Sequence, residues 1–222
     1  MEGEGAPPRG RATTAALLAA GGALAAALGW WIAGPLVGLA AAGLYAGALA
    51  AWIAAQPRRA LRAAAAEPLE AGAAPRLRNL AAGLAADLGI SVPSLWLVSG
   101  PGANALVSRA GGPALGVTRQ LLETYTRTEL EAVVAHCLVR LGVSSLRREA
   151  LAAALGPLGR PLCPVLGVPS DAAAAAVTRY PPALAAAILK ASPARRNAPF
   201  YFVAAPPWHE DPEARAALVA DL

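Results

Sequence analysis

The chain has 222 residues, enough for one domain and an anchor. Apolar residues make up 56% and charged residues 15%, more apolar and less charged than an average soluble domain. The net charge is +5, but the arginines flank apolar stretches without interleaved aromatics, which favours an anionic membrane surface and argues against nucleic acid. Two cysteines, Cys137 and Cys163, exclude a disulfide framework and fit a reducing compartment. The dominance of Ala, Gly, Pro and Arg, with Lys only at Lys190, suggests a GC-rich bacterial genome.

No charge occurs between Arg11 and Arg58. A bilayer crossing takes roughly 20 apolar residues, so the stretch predicts two transmembrane helices, near Thr13 to Ala33 and Leu36 to Ala55. Gly34-Pro35 is the expected break, since proline interrupts the helical ladder. Trp30 and Trp31 fall at the far interface and Trp52 at the near one. Arg9 and Arg11 precede the hairpin, and Arg58, Arg59 and Arg62 follow it. By the positive-inside rule both ends are cytoplasmic. The run is too long for a cleaved signal peptide, and it lacks the polar stripe of a soluble helical hairpin. Residues 1–57 therefore read as tail and anchor, and 58–222 as a cytoplasmic domain.

Arg58 to Ala74 reads as a juxtamembrane helix, and Arg76 to Leu88 as a helix started by Pro75 and stopped by Gly89. Ile90 to Val98, broken at Pro93, reads as a strand. Asn104 to Ser108 and Ala114 to Thr118 read as two more, around a turn at Gly111-Gly112. Arg119 to Tyr125 is predicted helical. Capping boxes are offered by Thr126 with Glu129 and by Thr128 with Glu131. Beyond them Leu130, Val133, Val134, Cys137, Leu138 and Leu141 form an apolar helical stripe. His136 and Arg140 project together from its flank. Leu151 to Gly167 is rich in Gly and Pro and gives no clear element. Asp171 to Val177, Pro182 to Ala191 and Pro212 to Leu222 read as helices, and Arg195 to Asp211 as a surface loop.

Several of these segments, in order, resemble the HtpX-like membrane zinc endopeptidases, relatives of the prenyl-protein CAAX peptidases. The resemblance runs from about Pro75 to Leu218. It rests on Leu88-Gly89-Ile90 with Val92 and Pro93, on Asn104-Ala105-Leu106, and on Gly116-Val117-Thr118 with Leu121-Leu122. It continues through Thr126 to His136, Asp171-Ala172-Ala173, and the pair His209 and Arg215. It implies an α+β fold: a transmembrane helical hairpin followed by a zincin-like, mainly helical domain with a small sheet.

In that family H-E-x-x-H supplies two zinc ligands and the general base. Here the segment is His136-Cys137-Leu138-Val139-Arg140. Cys137 stands at the base and Arg140, a permanent cation, at the second ligand. Counting back from Asp171 puts Gly167 at the third. The resemblance thus implies a catalytically inactive homologue with no metal. His136, Asp171, His209 and Arg215 form a vestigial cleft, and Asp171 accepts from His136 and favours its charged form. Arg140 is expected to pair with Glu129 or Asp171. Asn104, Ala105 and Leu106 are the edge strand on which an extended polypeptide can pair. The expected partners are the lipid bilayer, other membrane proteins and unfolded polypeptide. Two alternatives stand beside this reading: a divergent active zinc endopeptidase with a reassigned metal site, for which His136, Cys163 and His209 are the available donors, and a structural membrane subunit. A Cys137–His136 nucleophile is disfavoured, because neighbours on a helix diverge by about 100°.

Overall fold

The computed structural model describes residues 8–70, 72–100, 102–142, 145–162, 168–206 and 208–222. Helices α1 (Pro8–Ala33) and α2 (Pro35–Ala63) form an antiparallel hairpin that turns at Gly34, whose φ of 89° favours glycine. The two helices approach backbone to backbone. A Cβ at Gly38 would meet Ala26 O at 2.7 Å, and one at Gly29 would meet Val37 O at 2.8 Å. By length and composition α2 can cross a bilayer, and the apolar part of α1, Leu18–Ala33, is shorter. Leu24, Leu28, Trp31, Ile32, Leu36, Leu39 and Leu44 point outward, exposed.

The expected juxtamembrane helix is not separate. Helix α2 continues through Pro57 to Ala63, so the boundary at 57/58 falls inside it. Its last turns bury Gln56, Ala60 and Ala64. That burial holds the helix together past the proline, and the carbonyl of Pro57 accepts from Ser108 Oγ. A two-residue strand, β1 (Glu67–Pro68), follows.

Helix α3 (Pro75–Asp87) starts at Pro75 and ends before Gly89, at a φ of 63°. It buries Leu77, Ala81, Leu84 and Ala85. Strands β2 (Ser94–Val98), β3 (Ala105–Ser108) and β4 (Ala114–Thr118) complete a four-stranded sheet in the order β1-β2-β4-β3. The central β2–β4 pair is parallel, and both outer pairs are antiparallel. Helix α4 (Arg119–Thr124) is capped by Thr118 Oγ1.

Helix α5 (Arg127–Gly142) is the axis of the domain. Of the two possible capping boxes, Thr126 with Glu129 forms: Thr126 N–H donates to Glu129 Oε2 at 2.8 Å, and Glu129 N–H to Thr126 Oγ1 at 3.3 Å. The predicted apolar stripe is buried, and so are Ala132, Ala135, His136 and Arg140. Strand β3 and helices α3, α6 (Ser145–Leu155), α7 (Val168–Thr178) and α8 (Pro181–Lys190) surround it. A 3₁₀ segment, Gly156–Leu162, follows α6, and α9 (Pro212–Ala220) packs on α8. The fold is α+β, mostly helical, with one small sheet.

The segment from Arg195 to Asp211 is not a surface loop. Phe200, Phe202, Val203 and Ala204 are fully buried. Two aromatic side chains fill the core there, and side chains from elsewhere satisfy the irregular backbone.

Candidate functional site

Asp171 on α7 is the hub of a buried network of charges. His136 Nδ1 from α5 lies 2.8 Å from Asp171 Oδ1, although the residues are 35 apart in sequence. The approach has hydrogen-bond length but not hydrogen-bond direction, and the imidazole Nε2 is buried with no partner among the described residues. Its ring meets Phe202 edge to face at 5.1 Å. Arg215 on α9 forks onto the same carboxylate, with Nε to Oδ2 and Nη2 to Oδ1 both at 2.7 Å. Its Nη1 donates to Phe202 O at 2.8 Å and lies 3.3 Å from His209 Nδ1. That same Nδ1 accepts from Ala204 N–H at 3.0 Å, which fixes it as an acceptor and leaves the proton on Nε2. The four residues expected in one cleft, His136, Asp171, His209 and Arg215, are thus brought together, and all are buried.

Asp171 favours the charged form of His136, as expected, but burial outweighs it. Burial dominates and pushes the imidazole down to about 4 against the pull of Asp171, helped by Arg215 and Arg140. His209 is likewise pushed down by burial and by Arg215. Burial works to raise the Asp171 carboxyl, but Arg215 and His136 outweigh it and hold the group well below the usual carboxylate range. Burial pushes the Cys137 thiol up to about 12, so it is not a nucleophile at neutral pH.

Arg140 pairs with neither Glu129 nor Asp171. Its guanidinium meets Glu149 on α6, with Nη2 to Oε2 at 2.7 Å and Nε to Oε1 at 3.3 Å. It also donates to Tyr201 O at 2.9 Å and Pro199 O at 2.6 Å. Glu129 is taken instead by Lys190, at 2.6 Å. Glu149 carried one sequence signal: it is the only acid between Glu131 and Asp171. Gly167 and Cys163 lie outside the described residues.

Zinc does not fit this donor set. His136 faces two guanidinium groups, and Arg140 directs four of its five N–H donors at a carboxylate and two carbonyls. Among the described residues no three His, Cys, Asp or Glu side chains gather to hold a metal ion. The network keeps His136 and His209 neutral and the Cys137 thiol protonated at neutral pH. Its evident work is to tie α5, α6, α7, α9 and the segment 199–204 together.

The edge strand has a similar closure. β3 is outermost in the sheet, yet all four of its residues are buried. Phe202 N–H donates to Ala105 O at 2.8 Å, and Leu106 bridges to Tyr201. Asn104 completes the seam. Its Oδ1 accepts from Ala105 N–H at 2.8 Å and Val203 N–H at 3.2 Å, and its Nδ2 donates to Ser192 O and Val203 O, both at 2.7 Å. The chain's own C-terminal segment therefore occupies the edge predicted to receive polypeptide. Substituting Asn104→Ala removes the side-chain partner of Ala105 N–H, Val203 N–H and Ser192 O, while Val203 O keeps its bond from Ala194 N–H, and is expected to cost about 2–3 kcal/mol. Chemical denaturation in detergent checks this; an unchanged midpoint would contradict it.

No family model, curated protein or solved structure matches this chain.

Proposed function

We propose that this protein is a membrane-anchored, catalytically inactive homologue of HtpX-type zinc endopeptidases with a zincin-like domain, acting on membrane-protein partners through binding. The observation that carries the reading is Arg140. It stands where the resembled family has its second zinc-binding imidazole, and it is locked to Glu149 and two carbonyls. The meeting of His136, Asp171, Arg215 and His209 supports the same alignment. The outward apolar side chains of the hairpin support the bilayer as its partner. Arginines at both ends of the hairpin support a multi-pass protein of the cell membrane with its domain in the cytoplasm.

The covered β3 edge favours a second reading beside this one, a structural membrane subunit that does not pair with extended polypeptide. Cross-linking in native membranes separates the two. Varied membrane-protein clients cross-linked at the domain support the first, and a single stable stoichiometric membrane partner supports the second.

Activity tests both. The purified full chain is expected not to cleave unfolded casein, with or without added zinc. Zinc-dependent cleavage that disappears in His136→Ala would overturn the inactive reading.

A further inference from the structure

The hairpin is not alone at its level. Helix α6 runs back along α2: Ala150 shares an apolar cluster with Ala60 and Ala64, and further on Trp52 Nε1 donates to Ala154 O at 3.1 Å. Continuing in that direction, the chain passes the level of Trp52 towards the apolar part of the hairpin. It turns at Gly156, where φ is 56°, and the 3₁₀ segment packs against α1 and folds back on α6. A Cβ at Gly159 would come within 2.6 Å of Ala152 Cα, so the return is tight. At the tip, Leu158 is 61% exposed.

Charge is distributed to match. Between Glu149 and Asp171 the only charged residue is Arg160, and Glu149 itself is consumed by Arg140. Exposed arginines gather on the other side of Trp52: Arg58, Arg59 and Arg62 on α2, and Arg147 and Arg148 at the start of α6. Arg59 lies 3.8 Å over the Trp52 ring, which puts a guanidinium and an indole together as at a membrane interface. A stretch with Arg160 as its one charge, lying beyond a tryptophan with a basic collar before it, is the profile of a segment seated in a lipid leaflet.

We propose that α6 and the 3₁₀ segment form a re-entrant wedge that inserts beside the hairpin into the bilayer leaflet nearest the domain, with Leu158 among the acyl chains and the five arginines among the headgroups. The proposal rests on the membrane reading of the hairpin, and its test separates the two.

The test is depth-dependent quenching of a fluorophore on Leu158→Cys in a Cys163→Ser background, the full chain being reconstituted in phosphatidylcholine–phosphatidylglycerol vesicles. Cys137 is fully buried and stays unlabelled. The wedge predicts that lipids brominated high on the acyl chain quench at least about twofold more than those brominated near its end, as for a group about 5–10 Å below the headgroup boundary. Aqueous iodide should not reach the probe. A second probe at Trp31→Cys reports on the hairpin. If bromolipids quench position 31 while iodide alone quenches 158, the wedge is wrong and the hairpin stands. If neither position sees bromolipid, the membrane reading itself falls. A probe at 158 shielded from both quenchers would mean that another protein surface covers it, which also overturns the wedge.

Discussion

Arg215→Ala is expected to destabilise the domain by about 3–5 kcal/mol, the usual cost of leaving a buried charge without its partner. Asp171 is 1% exposed and owes its ionised state chiefly to the Arg215 fork. Removing the guanidinium leaves that carboxylate facing only His136, whose neutral ring replaces neither hydrogen bond. Phe202 O and His209 Nδ1 lose a donor in the same step. Arg215→Lys keeps the charge but not the fork and should fall between the two. Combining Arg215→Met with Asp171→Asn removes both charges, so the double variant should be more stable than the sum of the single losses implies. Denaturant unfolding of the purified protein in detergent measures these variants, with the Arg215→Met and Asp171→Asn singles completing the cycle. A loss below about 1 kcal/mol for Arg215→Ala would show that the pair does not hold the domain.

Acid should unfold the domain by way of its histidines. In the unfolded chain His136 takes up a proton as pH falls through about 6.5; in the folded domain burial delays this to about 4. Its folded pKa is depressed, so its contribution to stability is complete above pH 6.5 and is lost as pH falls towards 4. At about 1.4 kcal/mol per pH unit the loss reaches about 3 kcal/mol for this residue. His209 is shifted the same way and steepens the fall. Asp171 and Glu129 are also depressed, but their contributions disappear only at and below the ordinary carboxylate pKa, near the bottom of this window. Melting temperatures recorded from pH 7 to pH 4.5 should therefore drop steadily, and His136→Leu should flatten the slope. A flat profile for the parent chain would mean that the histidines are solvated.

What sequence reasoning found here was local or motif-borne. The Gly34-Pro35 break, the Thr126–Glu129 capping box and the apolar stripe of α5 each depend on residues a few positions apart. The His136–Asp171 contact spans 35 residues and was legible only through the resemblance to a peptidase site. Three features were not legible, for different reasons. Helix α6 carries its charges as the consecutive run Arg147-Arg148-Glu149, followed by alanines, so no periodic polar face marks it. The segment from Arg195 to Asp211 is broken by prolines, which resembles a surface loop; its burial depends on Asn104, Arg140 and Arg215 reaching its backbone from distant elements. The partner of Arg140 is set by how α6 turns back beside α5, a packing outcome that residue spacing does not encode.

Zinc content decides the central claim most directly. Full-length protein purified in detergent without chelator, and measured by elemental mass spectrometry, is expected to hold far less than one zinc per chain, with no difference between the parent and His136→Ala. One tightly held zinc per chain, lost in His136→Ala, would contradict the account, because it would require Arg140 to have left the position that this structure gives it against Glu149, Tyr201 and Pro199.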